Sequence, residues 1–133
     1  MKADECVARE AVLHDHYTGT VELETLALID MINQHIIPSV KAAELDASNV
    51  DALAGHVTTM KDALANIHAA ETSYEKAQIA RELRLETMID VRSTCDEVEE
   101  LVPADLWTLA TYKELLFLDQ TSDAKPTEYE YDI

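Results

Sequence analysis

Glycine and proline are scarce in this sequence: its 133 residues include two glycines and three prolines. Folds that depend on many tight turns, such as β-sandwiches and β-barrels, use far more of both residues. Alanine, leucine and glutamate, which favour helices, are abundant instead. A chain of this length can bury one substantial hydrophobic core. The composition therefore predicts a single all-α domain.

Basic side chains are also few. Ten lysines and arginines accompany 27 aspartates and glutamates, which gives a net charge of −17. A charge of this sign repels phosphate backbones and anionic lipid surfaces, so we expect no nucleic-acid partner and no membrane partner. Acidity most often serves solubility, and a specific basic partner is the alternative.

Cysteines and long apolar runs are nearly absent. Cys6 and Cys95 fit neither a metal-binding nor a redox spacing, so we interpret both as reduced thiols. No apolar segment follows Met1, and no run reaches the roughly eighteen residues of a membrane span. The sequence thus favours a cytoplasmic protein, with a plastid protein that has lost its transit peptide as the alternative.

The first predicted element is a long helix over about residues 4–44. Pro38 lacks a backbone N–H and predicts a kink, and Gly19 predicts a point where the helix frays more easily. From Val21 onward the helix is apolar on more than one face, which predicts a central position with several neighbours. Its first half is more polar, and the sequence leaves open whether that half packs back or projects.

A helical hairpin is predicted next. N-cap patterns at Ser48 and Thr72 begin two helices joined by a short loop, and the second of them runs over about residues 73–102. The first carries apolar residues at alternating steps of three and four, which is typical of a packing seam between nearly parallel axes: Val50, Leu53, Val57, Met60, Leu64 and Ile67. Together with the long helix, the hairpin predicts an antiparallel helical bundle.

The C-terminal part changes in character. Thr111 with Glu114 forms a third capping pattern and predicts a last short helix. Residues 119–133 are acidic and contain few large side chains, so we expect a mobile tail. Anchoring of Tyr129 and Tyr131 to a neighbouring subunit is the alternative.

The sequence offers no group of residues suited to catalysis. None of the five histidines has a ligand three residues before it, so the paired spacing of helical metal sites is missing. Phosphate-binding glycine loops and nucleophile motifs are missing too. Arg81, Arg84 and Arg92 form the densest basic group. Pairing with glutamates of the same helix is the ordinary interpretation, and an anion or partner site is the alternative.

Residues 101–117, which we call the strap, contain the only tryptophan and the only phenylalanine of the chain. Large rings in an acidic helical protein are normally buried, and each contributes about 2 kcal/mol or more when it is. We therefore predict that the strap docks on the helices or on a partner through five side chains: Trp107, Tyr112, Leu115, Leu116 and Phe117.

Two stretches carry a family resemblance. Residues 31–40 read MINQHIIPSV, a helix that crosses an Ile-Pro step, and residues 98–117 read VEELVPADLWTLATYKELLF, with Trp, Thr-Tyr and Leu-Phe in one order. Both resemble the C-terminal helical domain of type III glutamine synthetase. The resemblance implies one helical domain over residues 1–118, with residues 119–133 outside it. Prolines common in the family between the Trp and the Tyr are replaced by Thr108, Leu109 and Ala110, which implies a less rigid strap.

The resemblance also bears on function. The ATP, divalent metal and glutamate of the family are bound by other domains, so no catalytic, cofactor-binding or metal-binding residue is transferred to this chain. What it implies is a non-catalytic assembly or regulatory module whose partner is a glutamine synthetase subunit or a second copy of itself. The alternatives are a fragment of a complete ATP-dependent glutamine synthetase and a free-standing acidic helical-bundle binding protein.

Overall fold

The computed structural model describes residues 2–110, and these form three long helical segments. The first consists of α1 (Ala3–Met31), a π-helical turn (Ile32–Ile36) and α2 (Ile37–Ala42); the second is α3 (Ala47–Ala69); the third consists of α4 (Ser73–Glu82), a π-helical turn (Leu83–Thr87) and α5 (Met88–Leu101). No strand occurs among the described residues, and the all-α prediction is confirmed. The predicted short helix after Thr111 and the acidic tail lie outside the described residues.

The three segments pack side by side in an up-down-up arrangement. Residues later in the first segment contact residues later in the third. The ring centroids of His14 and Tyr74 are 5.6 Å apart, and ten residues further along both segments a guanidinium nitrogen of Arg84 lies 3.6 Å from a carboxylate oxygen of Glu24. These two segments are therefore parallel. The hairpin loop reverses the chain between α3 and α4, so α3 runs antiparallel to both, as the short loop predicted.

The core lies where one face of each segment meets the other two. In α3 the buried residues are those of the predicted periodic pattern from Leu53 onward, which confirms it: Leu53, Val57, Met60, Leu64 and Ile67. The other segments contribute stripes of similar spacing, namely Val21, Ile29, Ile32, Ile36 and Val40 from the first and Ala80, Leu83, Val91, Cys95 and Val98 from the third. Steps of three and four residues keep each stripe on one helix face.

The first long helix buries fewer faces than its sequence predicted. Leu23, Leu26 and Met31 lie off the buried stripe and are 71%, 54% and 44% exposed. The prediction of a central position is therefore wrong for the described residues. Two neighbouring segments cover one face of α1, and no third described segment lies against the remaining apolar side chains.

Local chemistry explains where the helices bend and begin. Before Pro38 the helix widens into the π-helical turn, in which the N–H of Ile37 donates to the carbonyl of Ile32; this is how the chain accommodates the disturbance that proline creates. Asp46, rather than the predicted Ser48, caps α3, and its carboxylate accepts a hydrogen bond from the Ser48 N–H at 3.2 Å. The Thr72 hydroxyl caps α4 as predicted, accepting from the Glu75 N–H at 3.1 Å.

Candidate interaction surface

The N-terminal part of α1 extends past the end of the hairpin. The first long helix meets the start of α4 near His14, which contacts Tyr74. Residues 3–13, which we call the N-terminal extension, precede that level and are about 16 Å long at 1.5 Å per residue. The question that the sequence left open is thus answered for the described residues: residues 3–13 project, whereas the rest of the first half, from His14 onward, packs against the hairpin.

The N-terminal extension is apolar on part of its surface although nothing described covers it. Val7, Val12 and Leu13 are 65%, 67% and 68% exposed. Val7, Ala11, His14 and Thr18 stand at successive steps of four, three and four residues, and Thr18 is a member of the buried stripe. The face of α1 that forms the core from Thr18 onward therefore continues along the extension, where a partner helix would cover it.

A second uncovered surface is a groove of about 490 Å³ between α1 and the third long segment. Six of the side chains that line it are apolar, and we call this set its floor: Ala27, Leu28, Met31, Leu85, Met88 and Ile89. The π-helical turn Leu83–Thr87 lies along one wall. Glu24, Arg84 and Arg92 also line the groove, and we call these three charged residues its rim.

The three arginines of the third long segment are not paired in the way that the sequence predicted. Arg84 approaches Glu24 of α1 at 3.6 Å and lies 5.8 Å from the ring centre of Tyr17, so its contacts cross between helices. Arg81 and Arg92 have no carboxylate oxygen within 4.0 Å among residues 2–110. The ordinary interpretation, pairing with glutamates of the same helix, is therefore wrong for these three arginines.

The described part of the strap packs onto the bundle at the level of His35, at the end opposite the N-terminal extension. Leu106, Trp107 and Leu109 are partly buried against the core, and the hydroxyl of Thr108 lies 2.8 Å from Nδ1 of His35. The Trp107 Nε1 is buried and has no hydrogen-bond partner among the described residues. Of the five predicted docking residues, the structure thus places Trp107 against its own chain; the other four lie outside the described residues: Tyr112, Leu115, Leu116 and Phe117.

The remaining polar groups hold the helices together. His56 Nε2 lies 2.9 Å from the Thr94 hydroxyl and links α3 to α5.

Burial, with a smaller effect from Asp96, raises the pKa of the Cys95 thiol from 9.0 to about 11, so this thiol stays protonated and unreactive at neutral pH. Within residues 2–110, no three His, Cys, Asp or Glu side chains are grouped as a metal site would require.

No described helix is both long enough and apolar enough to span a membrane.

The interaction surfaces were only partly visible in the sequence. The N-terminal extension was missed as a docking surface, although Val7 and Ala11 continue the spacing of the core and would have indicated it. The groove was also missed; its signal is the set of apolar residues that stand off the main stripe, such as Met31, Leu85 and Ile89.

Comparison with known proteins finds a family model that matches part of the chain. Residues 1–61 match the family model described as the glutamine synthetase C-terminal domain. The matched part contains the N-terminal extension, the rest of the first long helix and the first half of α3. This supports the resemblance drawn from the sequence at the level of glutamine synthetase, without a distinction of type. No curated protein matches the chain.

Proposed function

We propose, on the premise that residues 1–61 are similar to the glutamine synthetase C-terminal domain, that this chain is a non-catalytic assembly module that binds a glutamine synthetase subunit in the cytoplasm. The observation that carries the proposal is the uncovered apolar face of the N-terminal extension, which lies inside the matched residues. ATP and divalent metal would then be bound by the partner enzyme and not by this chain. Its effect would be to hold subunits together or to regulate them.

The magnitude of apolar burial limits what the N-terminal extension can do by itself. Covering a whole Val side chain contributes about 1.5–3 kcal/mol, so Val7, which lies on the continued core face and is about two-thirds exposed, offers about 1–2 kcal/mol. Loss of translational and rotational freedom costs more than this. A lasting complex therefore requires further contacts, and one partner helix that continues along the core face supplies them.

The test is binding of the full chain to purified glutamine synthetase, measured by isothermal titration calorimetry. Val7→Glu places a charge on the continued core face of the extension, and we expect it to weaken binding about tenfold or more. Thr58→Glu is the matched control, because Thr58 is an exposed helical residue of α3 away from the extension. Equal affinities for the two variants, or no binding by the wild-type chain, would exclude the proposed role.

A second candidate is that the chain is part of a complete ATP-dependent glutamine synthetase polypeptide. The family model favours it, because the model describes one domain of a larger enzyme. An antibody raised against the chain distinguishes the two candidates on an immunoblot of source cells. A band near 14.9 kDa indicates a separate module. A single, much larger band indicates that the same contacts are made within one enzyme.

A further inference from the structure

The groove between α1 and the third long segment combines two properties that point to one kind of ligand. Its floor leaves Met31, Leu85 and Ile89 44%, 50% and 56% exposed. Arg92 stands at its rim with no carboxylate oxygen within 4.0 Å among residues 2–110. The Arg92 guanidinium therefore has capacity to bind a carboxylate from outside residues 2–110. A peptide that carries both apolar and acidic side chains satisfies the floor and the rim together.

The same chain contains a segment of this chemistry. Residues 127–133 read TEYEYDI, in which acidic residues alternate with large apolar or aromatic ones from Glu128 onward. An extended backbone directs alternate side chains to opposite sides. In that conformation one side carries Tyr129, Tyr131 and Ile133, and the other carries Glu128, Glu130 and Asp132.

We propose that residues 127–133 dock in cis into the groove, with their apolar side on its floor and their carboxylates close to Arg92 and Arg84. Arginine suits this arrangement because its long side chain reaches over an apolar floor and its guanidinium binds carboxylates. The tyrosine rings add large apolar area at low conformational cost. The acidic tail is then a ligand of its own domain.

The length of the chain permits docking in cis. The last described residue, Ala110, follows Thr108, which is fixed at the level of His35 by their 2.8 Å contact. From that level the groove begins at Met31 and reaches Glu24, about 6–17 Å along the helix axis at 1.5 Å per residue. Residues 111–126 span up to about 50 Å when extended. The segment therefore reaches the groove with ample slack.

Methionine methyl groups provide the probe, because Met31 and Met88 line the groove while Met60 lies fully buried in the core. Spectra of ¹³C-methyl methionine are compared for the full chain and for a chain that ends at Pro126. We expect the Met31 and Met88 signals to shift, through the ring currents of the tyrosines, and the Met60 signal to stay in place. Unchanged Met31 and Met88 signals would refute the proposal, and an unchanged Met60 signal shows that the shortened chain folds.

Charge complementarity is tested by comparing full and shortened chains within each of two further backgrounds. Arg92→Glu places like charges together, and the shift difference at Met31 is expected to shrink. Combining Arg92→Glu with Glu130→Arg restores an opposite pair and is expected to recover the difference. Each lost exposed ion pair lowers the docked-to-undocked ratio about 1.5- to 5-fold. If the Met31 shift difference between full and shortened chains is the same in the wild-type, Arg92→Glu and doubly substituted backgrounds, recognition by the arginine rim is excluded.

Docking within one chain and docking between copies are separated by dilution. Shifts that do not depend on protein concentration support the cis arrangement. Shifts that vanish on dilution, or that arise when labelled shortened chain is mixed with unlabelled full chain, identify a second copy as the occupant and overturn it. None of these measurements involves glutamine synthetase, so the inference stands or fails independently of the proposed function.

Discussion

Truncation of two leucines provides a direct test of which helix faces form the core. Leu53 of α3 is 0% exposed, whereas Leu23 of α1 is 71% exposed. Both lie inside helices, so Leu→Ala changes the intrinsic helix propensity equally at the two positions. Any difference between Leu53→Ala and Leu23→Ala therefore reports burial.

The expected magnitudes differ several-fold. A fully buried Leu→Ala substitution costs about 2.7–5 kcal/mol, because the lost transfer free energy is joined by the cost of a cavity. At Leu23 less than a third of the side chain is covered, so the same change costs about 0.5 kcal/mol or less. A domain of this kind is stable by about 5–15 kcal/mol, so both variants are expected to fold.

Urea denaturation followed by circular dichroism at 222 nm measures both free energies of unfolding. With a slope of about 1–3 kcal/mol per molar urea, a loss of 3 kcal/mol at Leu53 lowers the midpoint by about 1–3 M. The midpoint of Leu23→Ala should stay close to that of the wild-type chain at low protein concentration. Similar losses at the two positions would show that the assignment of buried and exposed faces is wrong.

Three further outcomes are expected. Gly19→Ala should raise the free energy of unfolding by about 0.5–1 kcal/mol, since the added methyl group meets nothing within 4 Å and the helix entropy cost falls; thermal denaturation measures this, and a loss would contradict it. Thr72→Ala should cost about 1 kcal/mol by removing the α4 cap, whereas Thr72→Ser should cost little; equal losses would exclude the cap. The wild-type chain should exceed Cys95→Ala in free energy of unfolding by its full margin below pH 9, and this margin should fall as the pH rises from about 9 to about 11, because the unfolded thiol ionises first. Urea titrations across this range measure the margin, and a margin that does not change with pH would contradict the raised pKa.

The sequence predicted α3 almost completely because its signal is local and strict. From Leu53 to Ile67 each apolar residue stands three or four positions from the next, which leaves one possible face. The first long helix was harder. Periodicity shows which side chains share a face, but it does not show whether another element lies against that face, so the exposure of Leu23 and Leu26 was not predictable in this way.

The rim of the groove shows a different limit. No carboxylate stands three or four residues from Arg81 or Arg84, so the sequence itself gives these two arginines no acidic partner on the same helix face. The actual partner of Arg84 is Glu24, 60 residues earlier in the chain, and it is brought near by the parallel packing of the first and third segments. Contacts of this kind depend on the tertiary arrangement and have no local signal.

The length of the first helical segment also determines how far apart the N-terminal extension and the strap lie. The N-terminal extension begins at Ala3, and the strap crosses the bundle at the level of His35, about 48 Å away along one continuous helical segment. Bodies held at these two ends would not collide with each other. If the proposed partner binds the N-terminal extension, the bundle separates it from the strap by a length that the number of helical residues determines.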